Sequence, residues 1–316
     1  KFIDAGMTKS PVGEGEGEKI YKIAVIPKGT ANPFWKTVHA GAAKADEELA
    51  DVERVWRGPE NEDDRLQQIQ VVESFIAQGI DAIVLAPLDA KALARPVETA
   101  VARGIPVVII DSGLESEAQS SFVATDNVAG GRLGAKRLGE VMGGKGKAIM
   151  LRYNAGSAST DNREKGFLEE MAASYPDIEL VSTNQYAGVT KESASQAAMN
   201  LLNKYKDEIQ GIFCPNESSS VGMLRALENT RLSGKINFVG FDASQTLIDG
   251  MKEKSIMGLV AQDPLDMGYK GVMAAYKVLK GETVDKVIAT KLSLVTPENL
   301  MTPEIQELIA PELADF

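Results

Sequence analysis

The sequence predicts an α/β protein built as two similar, doubly wound parallel-sheet lobes with a ligand cleft between them. Three observations carry this expectation. The chain has 316 residues, and at roughly 150 residues per domain that is two domains, each large enough for its own core. From Tyr21 onward, apolar runs of strand length alternate with amphipathic stretches of helix length. Such strands, separated by helices, belong to parallel sheets covered on both faces. Finally, a weak internal repeat relates the two halves.

The elements follow in order. Residues 10–19, Ser-Pro-Val-Gly-Glu-Gly-Glu-Gly-Glu-Lys, alternate Gly with Glu and lack apolar periodicity, so residues 1–19 are expected to form a flexible leader. Strands are expected at Lys22–Ile26, Val52–Trp56, Ala82–Leu85, Val107–Ile110, Ala148–Leu151, Glu179–Val181, Gly211–Phe213, Phe238–Gly240 and Gly258–Val260. Between them, segments such as Asp64–Gln78 and Lys91–Arg103 place apolar residues every three or four positions, the helical period. The repeat sets Gly79-Ile-Asp-Ala-Ile-Val-Leu-Ala-Pro87 against Ile209-Gln-Gly-Ile-Phe-Cys-Pro-Asn216. In each copy the next strand then ends on an aspartate, in Val107-Val-Ile-Ile-Asp111 and Phe238-Val-Gly-Phe-Asp242. Ligands of open α/β sheets bind beyond the carboxyl ends of the strands, where Ala86, Asp111, Asn216 and Asp242 would lie.

Composition excludes several classes of function. Lys and Arg total 34 against 45 Asp and Glu, a net charge of −11, which disfavours nucleic acid as a partner. One cysteine and one histidine leave no intrachain disulfide, no cysteine-based zinc site and little of the usual equipment for general-base or metal chemistry. Apolar residues make up 44% of the chain, and no run approaches the roughly 20 that a membrane span needs. The chain begins Lys1-Phe2, not Met, so a processed or truncated product is expected, from which a signal peptide or lipid anchor could have been removed.

Asp111 and Asp242 can be read as an acid–base or nucleophile pair, as acceptors for neutral hydroxyls, or as helix caps. Nothing else near Asp242 looks catalytic. Arg163, at a helix start in Ser159-Thr-Asp-Asn-Arg163, could donate to a ligand from the opposite side or could be an ordinary solvated arginine. Lys28-Gly-Thr-Ala-Asn-Pro-Phe-Trp35 follows the first strand. There Asn32 offers a donor and an acceptor, while Phe34 and Trp35 offer flat faces for the C–H face of a ring or staple the helix to the sheet.

Other features are discounted. Gly139-Glu-Val-Met-Gly-Gly-Lys145 imitates a phosphate loop but is followed by Gly146 and leads from helix into strand, the wrong order. Gly130, Gly131 and Gly134 fit close packing against a sheet. His39 is expected at a helix surface and Cys214 as a buried inert thiol. The acidic clusters Glu14–Glu18 and Glu60–Asp64 are expected to be solvated.

Taken together, the residues resemble the ribose-binding protein branch of the periplasmic sugar-binding proteins, which share their fold with the ligand cores of lactose-repressor-type regulators. The likeness spans Tyr21 to Val295. Its anchors are Asn32-Pro33-Phe34-Trp35, Asp111 after Gly104-Ile-Pro-Val-Val-Ile-Ile, Thr125-Asp126-Asn127 with Gly130-Gly131, Arg163 before Gly166-Phe167, Asn216-Glu217, Val239-Gly240-Phe241-Asp242, and Gln262 before Asp263-Pro264. The resemblance implies that Asn32, Phe34, Trp35, Asp111, Arg163, Asn216, Asp242 and Gln262 hold a monosaccharide ring. It also implies three hinge crossovers, near Thr125–Asp126, Gln262–Asp263 and Thr290–Lys291. Lobe one is then 20–125 plus 263–290, and lobe two 126–262 plus 291–316.

Departures from the pattern bear on the ligand. Lys28 is similar to a lysine that arabinose-binding relatives use toward a sugar hydroxyl, Ser112 replaces an arginine, and Asn154 offers a polar group where the ribose type is apolar. A second-lobe aromatic is expected near Tyr186-Ala-Gly188. The implied protein is a monomeric, extracytoplasmic or periplasmic solute-binding component of an ABC-type sugar importer, with or without a lipid anchor. Its partners would be a pentose or hexose and a membrane permease, with no enzyme activity, cofactor, metal or nucleic acid. The alternatives are a sugar-sensing ligand core of a regulator or chemoreceptor pathway, and a glycoside-processing enzyme using the two aspartates.

Overall fold

A computed structural model describes residues 19–309. Except for Lys19, the expected leader, with Glu14–Glu18, lies outside the described residues. The chain starts with β1 (Tyr21–Ile26), α1 (Pro33–Glu48), β2 (Val52–Trp56), α2 (Arg65–Gln78), β3 (Ala82–Leu85), α3 (Ala94–Ala102), β4 (Val107–Ile110) and β5 (Ser121–Ala124). It continues through α4 (Asn127–Val141), β6 (Gly146–Arg152), α5 (Ala158–Ser174), β7 (Ile178–Tyr186), α6 (Lys191–Tyr205), β8 (Gly211–Phe213), α7 (Glu217–Asn229), β9 (Asn237–Phe241), α8 (Gln245–Lys252) and β10 (Gly258–Gln262). The last elements are α9 (Pro264–Leu279), β11 (Val287–Ala289), β12 (Leu292–Val295) and α10 (Pro303–Ile309).

The strands form two six-stranded sheets, ordered β11-β5-β4-β3-β1-β2 and β12-β10-β9-β8-β6-β7. Position by position these orders are the same, so β1 corresponds to β6, β3 to β8 and β4 to β9. Every pairing is parallel except β10 with β12, which is antiparallel. The chain therefore passes from one sheet to the other after β5, after β10 and between β11 and β12. Two of these connections bond to each other, since the Thr290 N–H donates to Ala124 O at 3.1 Å and the Thr125 and Thr290 hydroxyls lie 3.1 Å apart.

Each sheet is apolar on both faces because successive side chains point to opposite sides and helices cover both. In the first, Ile23, Val25, Val84, Val108 and Ile110 pack toward α1 and α9, while Ala24, Ile26, Ile83, Leu85 and Ile109 pack toward α2 and α3. In the second, Ile149, Leu151, Ile212 and Phe238 face α6, α7 and α8, while Met150, Phe213, Val239 and Phe241 face α4 and α5. The short strands β5, β11 and β12 escape the sequence reading. Two of them lie on sheet edges, where Val287 of β11 is exposed, and each offers at most three consecutive apolar residues.

The helix that enters each lobe from the other packs at backbone distance on the helix following that lobe's first strand. A Cβ at Gly131 of α4 would lie 1.9 Å from Arg163 O in α5, and one at Gly166 would lie 2.1 Å from Val128 O. In the other lobe Gly41 of α1 and Gly268 of α9 show the same relation, with a Cβ at 1.9 Å from Leu265 O and 2.0 Å from Val38 O. Gly130 and Gly134 instead lie against the Phe241 and Phe213 rings. His39 departs from its expected surface position. It is half-buried and stacked on Trp56 with ring centroids 4.3 Å apart, and burial with the nearby Arg54 charge lowers its pKa to about 4. Cys214 is buried, which pushes its thiol pKa well up.

Candidate functional site

A cavity lies between the carboxyl ends of the two sheets. Nine of the ten residues singled out from the sequence line it: Lys28, Asn32, Phe34, Trp35, Asp111, Arg163, Asn216, Asp242 and Gln262. Asn154 does not. Its neighbour Tyr153 lines the cavity instead, together with Glu62, Ser157, Ser159, Thr160 and Glu217. Tyr153 is also the second-lobe aromatic, since Tyr186 is exposed and lies under the Arg152 guanidinium.

The loop after β1 supplies one wall. Asn32 caps α1, its Oδ1 accepting the Phe34 N–H at 3.0 Å, and Pro33 holds the first helical position. This cap sets Phe34 and Trp35 edge to face, centroids 5.0 Å apart. Trp35 is buried and its indole N–H donates to Glu62 Oε1 at 3.0 Å, while Phe34 is half-buried. Glu62 is therefore not a solvated charge. Its Oε1 also accepts from Asn32 Nδ2 (3.3 Å), and its Oε2 accepts the Tyr153 hydroxyl from the other lobe (2.8 Å). Burial pushes its pKa up, with Lys28 and these hydrogen bonds pulling it back.

Asp111 follows β4 with a left-handed φ of 62°, a conformation Asp tolerates better than most residues. Its Oδ2 lies 2.8 Å from Lys28 Nζ, and both side chains are buried. Lys28 Nζ also reaches Ser112 Oγ at 2.8 Å and, from the other lobe, Ser159 Oγ at 3.2 Å and Ser157 Oγ at 3.3 Å. An ammonium has three N–H donors, so four protein acceptors already saturate it.

The second lobe supplies the opposite wall. Arg163, buried on the first turns of α5, donates through Nε to Asn127 Oδ1 (2.8 Å) and through Nη1 to Pro215 O (3.1 Å), with its guanidinium 4.0 Å from the Phe241 ring centroid. These contacts fix the fork and use two of its five N–H groups. Burial lowers its pKa, while Asp242, Asp111 and Glu62 act against that. Asn216 caps α7, accepting at Oδ1 from the Ser219 N–H (3.3 Å) and hydroxyl (2.6 Å). Asp242, after β9 with φ 68°, accepts the Glu217 N–H at Oδ2 (2.9 Å) and Gln262 Nε2 at Oδ1 (2.7 Å). Burial raises its pKa to about 6, against the pull of Arg163 and Gln262. Gln262 Oε1 is buried without a hydrogen-bond partner.

The cavity thus holds two cations and four carboxylates, most of them already bonded to protein, with a phenyl face at one side. Such a lining offers acceptors and a few fixed donors to an uncharged molecule rich in hydroxyls. The sequence reading missed Glu62 and Tyr153, although both follow the C-terminal ends of parallel strands (β2 and β6). That position was the available signal. What hid Glu62 was its place inside Glu60–Asp64, where four acidic side chains surround one asparagine.

Fold and cavity define a two-lobed protein with a polar cavity between its lobes. The chain belongs to the periplasmic binding protein domain family, which it matches over residues 23–283. It is 31% identical over 286 residues to the ribose import binding protein of Bacillus subtilis, covering 88% of each chain. Among solved structures, it is similar to a carbohydrate transporter solute-binding protein from Agrobacterium radiobacter in complex with D-arabinose (34% identity, TM-score 0.88, 92% of this chain and 99% of that one). A solute-binding protein of an ABC transporter from Agrobacterium vitis with bound D-fucose matches comparably (34% identity, TM-score 0.88, 91% and 99%). Among the described residues, no helix is long and apolar enough to cross a membrane.

Proposed function

We propose that the protein is the extracytoplasmic solute-binding component of an ABC-type sugar importer, which closes its lobes on one monosaccharide and presents the closed form to a membrane permease. One observation carries the reading: Asp111 and Asp242 enter a single cavity from opposite lobes, with Arg163, Asn216 and Gln262 around them and the Phe34 ring alongside. In this reading the carboxylates accept pairs of adjacent hydroxyls, the free N–H groups of Arg163 donate, and Phe34 covers the C–H face of the ring. Micromolar affinity needs about −8 kcal/mol, within reach of a handful of charge-assisted hydrogen bonds worth roughly 1.5–3 kcal/mol each. The cavity supports holding over cleaving, because both aspartates are committed to hydrogen bonds or an ion pair. The relatives named above are binding and transport proteins, which favours this reading over a regulator core.

The test is a thermal-shift screen against neutral pentoses, hexoses, 6-deoxyhexoses and polyols. A sugar at 100 times its Kd adds roughly 2.7 kcal/mol of stability, so a clear rise in Tm with at least one of them is expected. No rise with any overturns the reading.

A further inference from the structure

Deepening that reading, and resting on it, we propose that the cavity continues into a second subsite that takes a substituent on the bound ring, so that the protein accepts O-substituted monosaccharides as well as free ones. A groove adjoins the cavity and shares Phe34, Glu217, Asp242 and Gln262 with it. It runs between α1, α8, α10 and the start of α9 and opens to solvent.

Three buried polar atoms without hydrogen-bond partners lie along the groove: Gln262 Oε1, Glu217 Oε2 and Ser244 Oγ. Gln262 and Glu217 are only 5% and 2% exposed. Glu217 Oε1 lies 2.8 Å from Lys191 Nζ, which leaves Oε2 as a spare acceptor. Ser244 heads α8 but makes no capping bond there, so its hydroxyl also remains available. Buried polar atoms are costly unless paired; Gln262 and Glu217 line both the cavity and the groove and Ser244 lines the groove alone, so a polar ligand group reaching from one into the other passes all three residues. Phe34 and Leu308 give the groove an apolar side as well.

Another groove shares Asn32 and Glu62 with the cavity, but it shares neither Asp242 nor Gln262, and toward the loop between β6 and α5 the lobes are bonded together. Tyr153 meets Glu62, Ser157 and Ser159 meet Lys28, and Gly156 O accepts the Ala90 N–H at 3.2 Å. A Cβ at Gly156 would lie 2.6 Å from Asp89 Oδ2, so the lobes touch there at backbone distance. A substituent that leaves the ring has room on the groove side.

The experiment takes each neutral sugar that raises Tm and measures, by calorimetry, its mono-O-methyl and mono-O-benzyl derivatives at every hydroxyl, anomeric position included. One position is expected to tolerate substitution with less than tenfold loss of affinity, and the others to lose at least a hundredfold. Thr37→Trp and Gln245→Trp, at the groove rim, are each expected to weaken the tolerated benzyl derivative at least tenfold while leaving the free sugar within twofold. If every derivative loses a hundredfold while free sugars bind, the subsite is refuted and the sugar-binding function stands. Tolerance unaffected by either tryptophan places the substituent elsewhere and also refutes it. If no free sugar binds, both fall.

Discussion

Asp111 and Asp242 hold equivalent places in the two lobes: each follows its sheet's fourth strand in chain order, each has a left-handed φ (62° and 68°), and each donates its N–H to a carbonyl of the adjacent strand, Val123 O at 3.1 Å and Val260 O at 2.8 Å. The shared backbone turn aims both carboxylates into the cleft. Backbone held in a sparsely populated region at both copies of a site marks geometry retained for what the side chain does there. Their surroundings differ. Asp111 is paired with Lys28, whereas Asp242 accepts from the Glu217 amide and Gln262.

Removing Asp242 leaves Gln262 Nε2 and the Glu217 N–H without their common acceptor and takes away a carboxylate whose charge Arg163 feels. Asp242→Ala is expected to lower sugar affinity at least tenfold in isothermal calorimetry, about 1.4 kcal/mol or more. Unchanged binding would remove Asp242 from the site.

Acid should act through the same residue. Folding raises the Asp242 pKa from 3.8 to about 6, so between those values the folded protein holds the proton more tightly than the unfolded chain. The contribution of this group to stability is therefore greatest at low pH and is lost as pH rises from about 4 through 6. Sugar binding has the opposite trend, because the ionised carboxylate accepts at both oxygens and more strongly than the protonated acid. Affinity is expected to fall as pH drops below about 6, and Asp242→Asn to flatten that profile. A wild-type affinity independent of pH from 7 to 5 would contradict this.

Lys28 joins the lobes through Asp111 and Ser112 on one side and Ser157 and Ser159 on the other. Lys28→Met leaves a buried Asp111 without its counter-charge, and breaking such a pair costs about 3 kcal/mol or more. Chemical denaturation of the ligand-free variant should show that loss. Lys28→Met with Asp111→Asn should recover part of it, since the unpaired charge is gone. A single variant as stable as the wild type would show that the pair is not buried in solution.

Gly131 sets how near α4 comes to the helix that carries Arg163. An alanine there puts a methyl group 1.9 Å from Arg163 O, so the helices must separate. Gly131→Ala is expected to destabilise by about 1–3 kcal/mol, as overpacking does, and to weaken sugar binding by displacing Arg163. Gly143→Ala is a useful contrast, because a Cβ at Gly143 meets nothing within 4 Å and only its φ of 67° is unfavourable. It should leave affinity unchanged. Equal effects of both on affinity would argue against the positioning role.

Much of this was legible in the chain itself. Fully apolar strands and helix-period segments gave the α/β class, and in both repeat copies the strand before an aspartate pointed to the cleft. The short strands β5, β11 and β12 were not legible: β11 and β12 lie at sheet edges, and β5 offers only three apolar residues after Ser121. The side chains of the acidic segment Glu60–Asp64 look alike in sequence. Only Glu62 turns inward, to meet Trp35, Asn32 and, across the cleft, Tyr153.

By itself, then, the sequence determined two similar lobes and the strand ends that face each other, because these follow from periodicity and repeat along the chain, while its resemblance to the sugar-binding family pointed to nine of the residues around the cavity. Tertiary structure alone decided how those residues are used. Contacts between residues far apart in the chain saturate Lys28 with serines from the other lobe, turn Glu62 inward, exchange Asn154 for Tyr153 and leave Gln262, Glu217 and Ser244 with unpaired atoms along a second groove. Hydrogen-bond saturation depends on which groups meet across the cleft, and no spacing within one segment encodes that.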